Sequence, residues 1–121
     1  MGTIKKFEDL EIWQLARELV NLIYADFRNC KDYNLKNQII AAGLSIKNNI
    51  AEGFCRQTKK EKINFLNFAK GSSGEVKNMY FIAEDLGYLS TNICIERRDS
   101  IQGLMNGTSG FINYLKSNNA R

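Results

Sequence analysis

The chain contains no histidine and no proline. The first absence removes the commonest general base, the Ser-His-Asp and Cys-His arrangements, and every metal site built on imidazole. A di-iron bundle, which needs Glu-x-x-His pairs, goes with it. The second absence suits long uninterrupted helices, because proline is the main breaker of a helix interior. Cysteine is scarce and odd in number: Cys30, Cys55 and Cys94 form no CxxC pair. A zinc site needs four closely spaced ligands and a secreted disulfide framework uses an even count, so the three read as reduced thiols packed as small hydrophobes. Cys55 is the one whose basic neighbours, Arg56 and Lys59, favour a thiolate. No metal or cofactor is expected. Long apolar runs are missing too. None approaches the roughly 18 residues of a membrane span, and Met1 to Leu10 carries no apolar signal-peptide core. A cytoplasmic location is the default expectation.

What is present is an ordinary globular composition: 121 residues, 44% hydrophobic and 25% charged. That is enough for one domain with a sizeable core but not for two. No linker or low-complexity segment divides residues 1–121, and four stretches carry helical periodicity. The first spans about residues 9–27, with Leu10, Trp13, Leu19, Val20, Ile23 and Phe27 at steps of three and four. A second, about 35–54, starts at a candidate N-cap, Asn34, and has Leu35, Ile39, Ala42, Ile46 and Ile50 as its seam. The third, about 59–86, opens with Thr58 and Glu61 at capping-box spacing and closes at Gly87. Its seam of Phe65, Ala69, Ser72, Val76, Met79, Ala83 and Leu86 alternates steps of four and three, the 3.5-residue period of bundles. The fourth, about 92–116, is lined by Ile101, Leu104, Met105, Thr108, Phe111, Ile112 and Leu115. The expected fold is all-α, an antiparallel up-down four-helix bundle.

Two features exceed what a plain bundle needs. Small residues occupy the middle of the third helix (Ala69, Gly71, Ser72, Ser73, Gly74) and one face of the second (Ala41, Ala42, Gly43, Ala51). They allow either close packing of these two helices or a groove that a ligand or another subunit fills. The first helix is apolar on two sides, with Ile12, Leu15, Leu19 and Leu22 away from Trp13, Val20, Tyr24 and Phe27. Such a helix is buried by more than one neighbour, so a homo-oligomer is expected.

The chemistry is mostly electrostatic. From Arg28 to Lys62 there are eight basic and three acidic residues, a net of +5 against +4 for the whole chain, so the remainder nets −1. Phosphate backbones attract such a segment through counterion release, without sequence specificity. Nearby aromatics, Tyr33, Phe54 and Phe65, are candidates to stack on unpaired bases. Glu52 and Glu75 sit next to small residues where a carboxylate becomes partly buried, and Glu52 has Arg56 at i,i+4 in the favourable orientation. Gly71-Ser72-Ser73-Gly74 lies inside a helical heptad with no preceding strand, so it is no phosphate-cradling loop. No catalytic motif is present, and the chain is not expected to be an enzyme.

Several segments together resemble one bacterial family. They are Phe7-Glu8-Asp9-Leu10 with Trp13, SIKNNIAEG from Ser45 to Gly53, Arg56, FLNFAKGSSGE from Phe65 to Glu75, and AEDLGYL from Ala83 to Leu89. The family is that of the 23S ribosomal RNA intervening-sequence proteins, also labelled S23 ribosomal proteins, and the likeness covers roughly residues 5–115. The resemblance implies four antiparallel helices assembled as a homo-oligomer, typically a ring-shaped pentamer. It also implies kinship with the accessory proteins of diversity-generating retroelements, basic barrels thought to bind nucleic acid and a reverse transcriptase. This chain departs from the pattern: Ile40 and Ala41 stand where arginines are frequent, Lys47 where proline is common, and Lys70 replaces an arginine. The missing arginines thin the basic face.

The expected protein is thus a non-enzymatic ring-forming bundle that binds RNA or DNA electrostatically. Lys36, Lys47, Arg56, Lys59, Lys60 and Lys62 are the phosphate contacts. The competing expectation is a scaffold that docks a protein partner, its basic surface incidental.

Overall fold

The computed structural model describes residues 4–117. Within them a short 3-10 turn, Phe7–Asp9, precedes four helices: α1 (Glu11–Asp26), α2 (Tyr33–Cys55), α3 (Lys59–Asp85) and α4 (Thr91–Ser117). Each helix packs on the next in sequence, and α1 returns to close against α4. The result is the up-down four-helix bundle that the periodicity implies, with no strand among the described residues.

Local sequence explains the helix ends. The Thr58 hydroxyl accepts the Glu61 N–H at 3.1 Å and donates to the Glu61 carboxylate at 3.0 Å, a variant of the expected capping pair. Gly87 adopts φ +74°, and the N–H groups of Gly87 and Tyr88 close on the carbonyls of Glu84 and Ala83 at 3.1 and 2.9 Å. That is a Schellman stop, which requires the left-handed conformation glycine takes freely. The start of α2 differs from expectation. Asp32, not Asn34, is the N-cap, its carboxylate accepting the Leu35 N–H at 3.1 Å. Asn34 already lies inside the first turn and accepts from Gln38.

The core follows the seams. All five expected α2 positions are buried, joined by Gly43 and Gly53. On α3 the middle of the seam holds, but its ends move. Leu66 is buried where Phe65 was expected, and Leu86 is 55% exposed. Leu86 is the C-cap, past the last regular turn, so its side chain leaves the stripe. The two apolar sides of α1 do not separate into one buried and one exposed face. Ile12 and Leu19 of one side and Val20 and Phe27 of the other are buried with Ala16 and Ile23, whereas Leu15 and Tyr24, one from each side, are exposed.

The interior also holds charge. At the end of the bundle where α1 and α3 finish and α4 begins, Asp26 accepts three hydrogen bonds. Two come from Arg97, Nε at 2.8 Å and Nη2 at 3.1 Å, and one from the Tyr80 hydroxyl at 2.7 Å. Both charged side chains are nearly enclosed, and Phe27 packs edge-on against the Tyr80 ring. Burial, then the hydrogen bond to Asp26, pushes the Tyr80 phenol far above its usual value near 10. The hydrogen bonds to Asp26 likewise raise Arg97 above its ordinary range. Burial also raises the Cys94 thiol, making it an inert core residue.

Asp26→Ala leaves the nearly enclosed Arg97 guanidinium with only the exposed Glu96 carboxylate, 2.7 Å from its Nη1, as counter-charge and should cost about 3 kcal/mol. Tyr80→Phe removes one charge-assisted hydrogen bond and should cost about 1.5–3 kcal/mol. Urea denaturation measures both. The folded state keeps the Tyr80 proton where the unfolded chain releases it, so this contribution is complete below pH 10 and declines as pH rises beyond it. Tyr80→Phe should remove that alkaline decline.

Two glycines make a paired test of packing. A Cβ on Gly53 would lie 3.1 Å from Phe65 Cβ and 3.2 Å from the Lys62 carbonyl, whereas one on Gly103 meets nothing within 4 Å. Gly53→Ala should therefore lower the melting temperature. Gly103→Ala should raise stability by about 1 kcal/mol through helix propensity.

Candidate nucleic-acid interface

The helix rise disperses the basic segment. Lys36 and Arg56 are separated by about 30 Å of helix at 1.5 Å per residue, so they occupy opposite ends of the bundle. Lys36 donates to the Arg28 carbonyl at 3.1 Å, and the expected stacking residue Tyr33 lies with it at that far end. Lys47 is about 14 Å of helix from Arg56 and sits over the Trp13 ring at 5.2 Å, on the α1 side of α2. These two lysines do not join the rest.

What remains clustered is the α2–α3 turn. Arg56, the C-cap of α2, lies over the Phe65 ring at 4.6 Å and bonds Glu52 at 3.0 Å, the i,i+4 pair the spacing implied. Its enclosed Nε has no hydrogen-bond partner among the described residues. Lys62 donates to the Phe54 carbonyl at 2.7 Å and covers the Phe54 ring at 5.4 Å. Both cations are thus partly spent on shaping the turn, and each shields one of the aromatics expected to stack. Lys59 and Lys60, the first two residues of α3, make no ion pair or hydrogen bond among the described residues. Of the four cations at this turn they are the two left to meet an anion, Lys60 exposed and Lys59 half-exposed. Thr58 sets their direction by starting the helix at Lys59.

Beside the turn an aromatic row continues. Phe65 meets Phe68 edge to face at 5.9 Å and 90°, and Phe68 is 52% exposed. Phe68 borders an open groove of about 450 Å³ between α2 and α3, with Ser45, Asn49, Asn67, Gly71 and Glu75. The small residues both pack closely and leave an open groove here. Ser45 and Ser72 pack hydroxyl to hydroxyl at 2.8 Å at the floor, and the glycine side opens outward. Glu75 and Glu52 are exposed, not partly buried as their small neighbours suggested, because both stand on the outward flanks of their helices. Cys55 is exposed and Cys30 half-buried, and no cluster of cysteine and carboxylate ligands suits a metal among the described residues. No helix of the described residues is long and apolar enough to cross a membrane.

The sequence reasoning missed Asp26, Tyr80, Arg97 and Phe68. Arg97 was legible in principle. It shares a stripe with Cys94, Ile101, Leu104 and Thr108, and a charge on a seam signals a buried partner. Phe68 breaks an otherwise polar outer face containing Asn64, Asn67 and Gly71.

The fold and this turn describe a helical-bundle protein with a small cationic and aromatic surface. A model of the 23S rRNA-intervening sequence protein family matches residues 8–110, and the chain belongs to that family. A solved structure from Bacteroides thetaiotaomicron VPI-5482, described as a protein with unknown function from the S23 ribosomal protein family, has the same fold. Its TM-score is 0.74 at 22% identity, over 84% of this chain and 91% of that one. No curated protein sequence matches.

Thr58→Ala removes the N-cap that orients Lys59 and Lys60 and should cost about 1 kcal/mol. The loss is expected as a lower urea midpoint with an unchanged slope.

Proposed function

We propose that the protein is a non-enzymatic bundle that assembles into a homo-oligomeric ring and binds RNA electrostatically through its α2–α3 turns. The observation carrying this reading is the pair of unpartnered cations, Lys59 and Lys60, beside Arg56 and Lys62 and next to exposed aromatic surface. Repetition around a ring multiplies a weak site into a useful one, because each further contact is intramolecular once the first has formed. Partly exposed Leu15 and Leu22 on α1 support self-association. Membership of a family described by an rRNA intervening sequence adds to the RNA reading. Lys36 and Lys47 lie outside the turn and contribute only long-range attraction.

The scaffold alternative has its own observation. Exposed Phe81, Ile82, Leu86 and Ile93 sit towards the opposite end of the bundle, which suits an apolar protein contact such as one with a reverse transcriptase. Salt separates the two readings, since phosphate contacts weaken steeply with salt and apolar ones do not.

Lys59→Glu with Lys60→Glu is the cleanest test. Acidic residues are favoured in a first helical turn, so the fold is preserved or stabilised. Binding of labelled RNA at low salt should be abolished or fall at least tenfold. Any residual binding should have a salt slope shallower by about 1.4 per turn engaged. Unchanged affinity would refute the assignment of the turn.

A further inference from the structure

We propose that the groove between α2 and α3 receives an unpaired nucleobase, stacked on Phe68 and read at its edge by Asn49, Asn67 and Glu75. This rests on the nucleic-acid reading above and names the ligand class that the site selects, a single strand over a duplex.

Four observations carry it. First, Phe68 is half exposed, has only an edge-to-face neighbour, and lies in line with Arg56 and Phe65. A ring with no stacked partner at the mouth of a polar groove suits a base, because base–aromatic stacking tolerates any sequence and tolerates water around it. Second, the groove walls present hydrogen-bonding groups rather than apolar side chains, which disfavours a docked apolar helix. Both N–H groups of Asn49 are committed, to the Ser45 carbonyl at 2.8 Å and to its hydroxyl at 3.0 Å. The amide oxygen of Asn49 and the Glu75 carboxylate are therefore left as acceptors. Acceptors recognise the exocyclic amines of adenine, cytosine and guanine, whereas uracil presents carbonyls there.

Third, the groove has electrostatic direction. Through Asn67 it continues into a second hollow of about 390 Å³ beside Lys60 and Glu61, with Asn64 and Ile63. At the turn Lys59 and Lys60 together outweigh Glu61 and attract phosphates, whereas Glu75 stands alone at the other end and repels them, so the backbone runs past the turn and a base points inward. A duplex, whose bases are already stacked and paired, cannot place one there. Fourth, Gly71 leaves the groove open. A Cβ there meets nothing within 4 Å, so glycine is not needed for packing inside this chain although it weakens the helix. A larger side chain at that position would stand in the groove.

The test measures anisotropy of labelled ten-residue RNA strands of adenine, cytosine or uracil, and of a blunt duplex, with light scattering reporting the mass. The wild-type protein should bind the adenine and cytosine strands at least fivefold more tightly than uracil, and all less tightly as duplex. Phe68→Ala should lower single-strand affinity about tenfold and leave duplex binding unchanged. Gly71→Leu, which has room to fold, should do the same by filling the groove. Glu75→Gln should erase the discrimination against uracil. If Phe68→Ala and Gly71→Leu bind like wild type while Lys59→Glu with Lys60→Glu abolishes binding, the cationic turn stands and the base site is overturned. A changed mass in either groove variant also overturns it, by making the groove a subunit contact. If no strand binds at low salt, both readings fall.

Discussion

The carboxylate of Asp26 holds three helices to one arrangement. It ends α1, while its partners Tyr80 and Arg97 come from α3 and α4. An apolar seam repeating every three or four residues tolerates a slide by one turn at modest loss, because another apolar residue arrives at each position. A buried guanidinium tolerates little, since displacement by one turn separates it from the enclosed Asp26 carboxylate and leaves it only the exposed Glu96 of its own helix. The triad thus contributes more to uniqueness of register than to net stability. α1, only 16 residues long beside two helices of 27, is the element with most freedom to slide. It is also the element whose last residue carries the acid.

That register propagates to the other end. With α1 fixed at Asp26, Ile12 meets the bare backbone of Gly107 on α4, where a Cβ would lie 3.0 Å from Ile12 Cγ2. Trp13 meanwhile comes under Lys47 and Arg17. On the opposite flank α2 and α3 approach through Ser45 against Ser72 and through Gly53 against the Phe65 Cβ and the Lys62 carbonyl. The Ser–Ser contact explains how an open groove coexists with tight packing. Small side chains let the helix axes close at the floor, and the same small side chains leave nothing above the floor to fill the space.

The bundle itself was legible because its information is periodic. Five of five α2 seam positions are buried, and the Thr58 and Gly87 punctuation marks act as their chemistry demands. Legibility failed where one residue competes with a neighbour for a role. Asp32 and Asn34 are both good N-caps, and only the path of the chain after Phe27 chooses the first. It failed again for the candidate site, for a geometric reason. Charge was counted along the chain, but one helix of 23 residues carries its ends about 30 Å apart, so a contiguous +5 segment becomes two separate ends. Counting along a helix measures composition, and only position on the helix measures a surface.

The same geometry decides which cations matter. An arginine that already faces a carboxylate and a ring, as Arg56 does, has exchanged part of its hydration for fixed partners and gains less from a phosphate than a free ammonium would. Its value is positional: it screens Glu52, which would otherwise repel the same phosphates, and it packs the aromatic row that leads towards Phe68. Lys59, half-exposed, and Lys60, exposed, have no ion-pair partner among the described residues, and they sit on the positive end of the α3 dipole. On the proposed nucleic-acid reading, attraction and selection therefore fall to different residues. The long-range field comes from the two lysines and the helix end, which see only charge, while any discrimination among anionic polymers must come from the neutral groups beside them, which see shape and hydrogen-bonding edges.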